Sequence, residues 1–224
     1  MNLEKYQQYS RIARGLEKAD LVLKDARIVN VFTEEIIRGD IAIQDGIIAG
    51  IGSFHGKEER DLAGRYVCPG FIDSHLHLES TLVTPAELVT AASRHGTTTF
   101  IVDPHESANV SGLAGIDYIL DQTEDVKANV YVMMPSCVPA TSIDDNGCTL
   151  SAEDMAPYLH NSRILGLGEV MDSISVVQGD KTMHDKLELF EGRIRDGHAP
   201  FLEEGDLQAY AMAGIATDHE CSFF

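Results

Sequence analysis

Pro69-Gly70-Phe71-Ile72-Asp73-Ser74-His75-Leu76-His77-Leu78-Glu79-Ser80 is the stretch on which the reading of this chain turns. It opens on a Pro-Gly break, runs through an apolar strand-like segment and ends in imidazoles and a carboxylate. Residues two apart in a strand point to the same face, so His75 and His77 present two rings on one side at a spacing that suits a single metal ion. An H-x-H pair alone is weak evidence, because two histidines at a strand end are as readily structural. The residues C-terminal to the pair decide between these readings.

From Gly70 onward, apolar strand-like runs alternate with helical stretches: 70–77, 97–103, 129–134, 164–170, 193–198 and 214–219. The starts recur at the size of a βα unit, which predicts a parallel sheet with helical crossovers. Thr84-Pro85-Ala86-Glu87 and Ser151-Ala152-Glu153-Asp154 read as capped helix starts, and Arg94-His95-Gly96 as a helix end. A doubly wound open sheet and a TIM-type barrel both fit this arithmetic. The polar residues favour the barrel, since His77, Asp103, Glu169, His198 and His219 each stand at the C-terminal end of a different apolar run, where barrel active sites lie.

Each of these ends carries more than one candidate. Asp103-Pro104-His105-Glu106 delivers three ionisable side chains to the rim, with the proline fixing the chain as it leaves the strand. Glu169 follows Leu165-Gly166-Leu167-Gly168, whose glycines permit close packing or a bulge, and a carboxylate ending so apolar a strand is costly unless paired or metal-bound. In Asp218-His219-Glu220, alternation turns His219 away from its two acidic neighbours, which leaves those to orient or support it. His55, His95, His160 and His184 have no comparable placement.

Upstream of Pro69 the character is different. Residues 2–19 form a weakly amphipathic helical pattern, and 20–69 hold short β-rich runs divided by turn signals, notably Asp45-Gly46, a type I′ hairpin signature. The expectation is a helix at 1–19, a small antiparallel β-sandwich portion at 20–69 and a partial (β/α)8 barrel of about six strands at 70–224.

The 224 residues include 17 Lys+Arg against 36 Asp+Glu, a formal net charge of −19, with 44% hydrophobic residues to build a core. So acidic a surface disfavours nucleic acid and anionic membranes. No apolar run reaches the roughly 20 residues of a membrane span and the N-terminus lacks a signal-peptide pattern, so the expected compartment is the cytoplasm. Cys68, Cys137, Cys148 and Cys221 form no C-x-x-C pair and read as free or buried thiols.

With these motifs in view, the chain resembles the amidohydrolase superfamily and, within it, the adenine deaminase family. The broader resemblance rests on the β unit leading into P-G-F-I-D-x-H-x-H and on Glu169, His198 and His219 in order. The narrower one rests on His77-Leu78-Glu79-Ser80, Asp103-Pro104-His105-Glu106, Glu169-Val170-Met171, Asp196-Gly197-His198-Ala199-Pro200 and Asp218-His219-Glu220. It implies a binuclear divalent metal centre of Mn, Fe or Zn, with His75 and His77 on one ion, Glu169 bridging, and His198 and His219 on the second. It implies Glu106, Glu169 and His219 as catalytic residues, and Glu79, Ser80, Asp103 and His105 as substrate-positioning ones. The implied reaction is adenine plus water to hypoxanthine plus ammonia, in purine salvage, by an enzyme that is homo-oligomeric at full length. A further metal-binding Asp, implied after an eighth strand, has no counterpart in these residues, so the chain reads as a C-terminally truncated barrel, inactive by itself. The alternatives are another cyclic amidohydrolase, of the dihydroorotase or amino-sugar deacetylase type, and a non-catalytic truncated product.

Overall fold

A computed structural model describes residues 1–141 and 143–220; Cys221 lies outside the described residues. The chain divides into two compact units, Met1–Pro69 and Gly70–Phe224.

In the first unit, helix α1 (Leu3–Ala13) starts where Asn2 Oδ1 accepts a hydrogen bond from the Lys5 amide, 2.9 Å away. Its one buried residue, Ile12, packs with Ala19, Val22, Ala42 and Phe54. Strands β1 (Ala19–Asn30), β2 (Glu35–Gln44) and β3 (Ile47–Gly52) form an antiparallel meander. Asp45 and Gly46 join β2 to β3 with φ of +50° and +74°, as a type I′ turn requires. Strands β4 (Gly56–Asp61) and β5 (Tyr66–Val67) then join β1 in the parallel sense. At 12 residues, β1 is long enough to take β4 along its first half and β5 along its second, so the sheet is antiparallel at one side and parallel at the other. The buried Asp40 carboxylate accepts from Lys24 Nζ at 2.5 Å and from the amides of Asp25 and Phe54 at 3.1 and 3.2 Å.

The second unit alternates β6 (Phe71–Leu76), α2 (Pro85–Ser93), β7 (Thr97–Val102), α3 (His105–Ser111), α4 (Leu113–Gln122), β8 (Asn129–Pro135), α5 (Ala152–Met155), β9 (Ile164–Val170), α6 (Ser173–Gln178), α7 (Lys181–Leu189), β10 (Ile194–Gly197), α8 (Glu204–Met212) and β11 (Thr217–Asp218). The six strands lie in chain order and every neighbouring pair is parallel. This is the partial (β/α) barrel arrangement. Phe100, Val102, Val130, Val132, Met134 and Ile164 on its outer face pack with Val89, Ile116, Ile119, Met183 and Leu187 of the helices. The inner face carries Ile101, Met133, Leu165 and Ile194 along a cavity of about 320 Å³.

Two local expectations change. Thr84 makes no side-chain cap, and α2 relies on Pro85 at its first turn, whereas Ser151 and Asp154 do form a reciprocal capping box. The sixth strand contracts from 214–219 to Thr217–Asp218, because Gly214, at φ +83°, still belongs to the turn after α8. Among the described residues no helix is long and apolar enough to cross a membrane.

Candidate metal centre

The site is assembled by the C-terminal ends of the parallel strands. His75 Nε2 and His77 Nε2 lie 2.9 Å apart at the end of β6, and both face Glu169 Oε1, at 2.7 and 3.1 Å. His219 Nε2 approaches the same oxygen at 3.3 Å, and its ring stacks on His75 with centroids 3.7 Å apart. Strands β6 and β11 are the two ends of the sheet, so in a flat sheet of six strands they would be about 24 Å apart. Contact between their rings therefore requires the sheet to curl into a partial barrel. His198 completes a group with Glu169 and His219 whose donor atoms all lie within 4.8 Å.

Glu169 reaches this position through a bulge. Leu167 pairs with Arg195 and Val170 with Gly197, so β9 holds one more residue than β10 across this interval. Gly168 and Glu169 consequently both turn inward, with Glu169 at φ +22°, while Val170 returns to the outer core. Glycine is required at 168 because a Cβ there would overlap the Asp103 carboxylate. The Glu169 carbonyl is held by Ser136 Oγ at 2.7 Å.

The other candidates flank this centre. Asp103 is 1% exposed, with Oδ1 3.6 Å from His105 Nδ1. His105 Nδ1 is 3.2 Å from Glu169 Oε2, the oxygen that the other histidines leave free. Ser80 Oγ donates to Glu106 Oε1 at 2.7 Å, and the Ser107 amide donates to Glu79 Oε1 at 3.2 Å. The four histidines set aside from the sequence take no part in these groups.

Three residues escaped the sequence reading. Asp196 Oδ2 stands 3.1 Å from His219 Nδ1 and 3.7 Å from His75 Nδ1, which turns both Nε2 atoms toward Glu169. Tyr210, 2% exposed, donates its hydroxyl to the Val170 carbonyl at 2.6 Å and accepts from the His198 amide at 3.1 Å, tying β9 to the His198 turn. Buried Lys186 donates to the Ser136 carbonyl at 2.7 Å, and burial pulls its pKa down. Asp196 was visible in the Asp-Gly-His motif; nothing local in the sequence marks the other two.

Protein charges alone set strong electrostatics. Burial would raise the Glu169 carboxyl, but His75 and His77 outweigh it and hold it far below the usual range. Hydrogen bonding to Glu169 pushes His77 up to about 9 against its desolvation. Burial, and then Glu106, lifts Glu79 to about 7, while Glu106 itself is lowered, against its own burial, by Glu79 and Ser80. Imidazoles and carboxylates converging without a thiol suit a divalent ion of the Mn, Fe or Zn kind. Buried oxygens and nitrogens left without hydrogen-bond partners, on Glu79, Asp103, His105, Glu106 and His198, are what such a site leaves in its protein atoms.

The amidohydrolase family model matches residues 66–224, from β5 through every strand of the curled sheet. The chain belongs to the amidohydrolase family. Among curated amidohydrolase relatives, it is 57% identical to an adenine deaminase of Desulfitobacterium hafniense over 99% of this chain and 39% of that protein. It is 50% identical to the adenine deaminase of Clostridium acetobutylicum, over 94% and 37%, and 46% identical to that of Listeria monocytogenes, over 98% and 38%. The chain thus spans about two fifths of the length of these curated relatives. A solved structure, the N-acyl-D-glutamate deacylase of Bordetella bronchiseptica with zinc and a phosphonate inhibitor, superposes with a TM-score of 0.58 at 16% identity, covering 90% of this chain and 51% of that one. This last likeness concerns the fold alone.

Proposed function

We propose that the protein is a metal-dependent adenine deaminase, converting adenine and water to hypoxanthine and ammonia. The observation that carries this reading is the Glu169 carboxylate surrounded by His75, His77, His105 and His219, with the Glu79–Glu106 pair beside it. In this reading His75 and His77 would hold one divalent ion, His198 and His219 would hold a second, and Glu169 would serve both. When bound, such ions supply Lewis acidity that brings water near neutral pKa and stabilises negative charge.

The remaining work falls to the chain's own groups. Asp196 keeps His75 and His219 turned so that their Nε2 atoms face inward. Glu106, lowered by Glu79 and Ser80, is ionised at neutral pH and accepts a proton from the attacking water. Glu79, near 7, carries a proton that it delivers to the ring nitrogen or the departing amine. Ser80, Asp103 and His105 position the base. The 46–57% identities to adenine deaminases support adenine over other cyclic amides and amidines.

Ammonia release from adenine by the Mn²⁺-loaded full-length protein is the test, with Glu169→Gln as the comparison. Loss of turnover in a folded Glu169→Gln protein is expected, since the change removes a bridging charge without changing side-chain volume. Wild-type turnover in that variant would sink the bridging assignment, and a wild type inert on adenine but active on dihydroorotate would sink the substrate.

A further inference from the structure

We infer that Asp103, His105 and Glu169 form a third cation site, beside the histidine-lined centre and distinct from it in two of its three ligands. The inference rests on the reading of Glu169 as a metal ligand. Asp103 is the starting observation: its side chain is almost wholly enclosed, yet neither carboxylate oxygen has a hydrogen-bond donor. A buried carboxylate without a partner is costly, so such a group implies something that answers it. His105 Nδ1, facing it, is likewise buried and without a hydrogen bond.

The spacing favours an ion over a direct hydrogen bond. Nδ1 of His105 lies 3.6 Å from Asp103 Oδ1 and 3.2 Å from Glu169 Oε2, and the three donor atoms lie within 4.8 Å of one another. Two ligands of one ion, each about 2.1 Å from it, stand roughly 3–3.6 Å apart at tetrahedral or octahedral angles. Glu169 is divided between the two places, with Oε1 toward His75, His77 and His219 and Oε2 toward His105. On the other side of His105, Glu106 Oε2 lies 3.9 Å from Nε2, beyond hydrogen-bond distance, so that carboxylates flank both ring nitrogens.

Charge points the same way. Glu79, Asp103, Glu106, Glu169 and Asp196 converge on this rim, and among the described residues their only ion-pair partners are histidines. A set of buried and half-buried carboxylates with no lysine or arginine partner is one that bound cations answer. One imidazole with two carboxylates suits Mn²⁺, Fe²⁺ or Zn²⁺.

Equilibrium dialysis against Mn²⁺, followed by metal analysis, tests the site without recourse to activity. Asp103→Asn and His105→Gln, each verified as folded by circular dichroism, should hold one manganese fewer per chain than the wild type. Crystals of the wild type soaked in Mn²⁺ should give anomalous density between Asp103, His105 and Glu169. Equal manganese in wild type and both variants, or density confined to the histidine-lined centre, would overturn the third site and leave the deaminase reading standing. Loss of one manganese from the variants of a protein inert on adenine would do the reverse. A wild type that binds no manganese would overturn both.

Discussion

Asp40 shows how one buried residue contributes to the pH response of the first unit. Burial pushes its carboxyl up, but Lys24 Nζ and the amides of Phe54 and Asp25 outweigh burial and hold it below the ordinary carboxylate range. A depressed folded pKa gives stability that is complete above the unfolded value of about 3.9 and is lost as pH falls through the folded value. Asp40→Asn should therefore cost about 1–3 kcal/mol at pH 7 and flatten the decline in urea midpoint between pH 5 and pH 2. An unchanged slope would remove Asp40 from the acid response. Tyr210→Phe should cost about 1–2 kcal/mol by leaving the Val170 carbonyl and the His198 amide without their shared hydroxyl. A variant as stable as wild type in urea would mean that water replaces it. Neither effect was legible beforehand, because Asp40 and Tyr210 act through chain segments that only the fold brings close. His75, His77, Glu169 and His219 were legible because strand periodicity and position at strand ends are local properties of the sequence.

At the scale of elements, β9 marks the boundary of what periodicity reveals. Its glycines left close packing and a bulge both open, and the register that makes Gly168 and Glu169 both face inward depends on pairing with β10. Gly166 is equally constrained, since a Cβ there would collide with the Ile194 carbonyl on β10. Gly166→Ala should destabilise by about 1–3 kcal/mol through this backbone clash, read as a lowered thermal midpoint. A neutral result would show that the two strands separate without cost. The capping box of α5 was legible because Ser151 and Asp154 stand in one turn. That β4 and β5 run parallel to β1 was not, because strand direction depends on where a connection crosses the sheet.

For the whole molecule, a formal charge of −19 makes self-repulsion a general destabilising term. Raising NaCl from about 10 to 300 mM shortens the screening length from about 30 to 6 Å, so the thermal midpoint should rise. A midpoint that falls or stays constant would show that local pairing already balances the charge. The charge and the alternation of strands and helices are properties of composition and pattern, and both were plain in the sequence. The curl of the sheet was legible as well, because polar residues at the strand ends favour a barrel over an open sheet, and it alone brings the first and last strands together.

That curl makes the histidine pair on β6 and β11 a clasp. Strands at opposite ends of the sheet meet through side chains at their tips, so the His75–His219 gap gauges how tightly the sheet is wound. An ion held between the two tips would lock the winding, and a substitution far from any ligand that flattens the sheet would be felt as weaker metal binding. Metal should accordingly slow amide hydrogen exchange along β6 and β11 while leaving β8, at the middle of the sheet, nearly as it was. Equal slowing in all three strands would mean that the rim fastens nothing and the barrel keeps its curvature unaided.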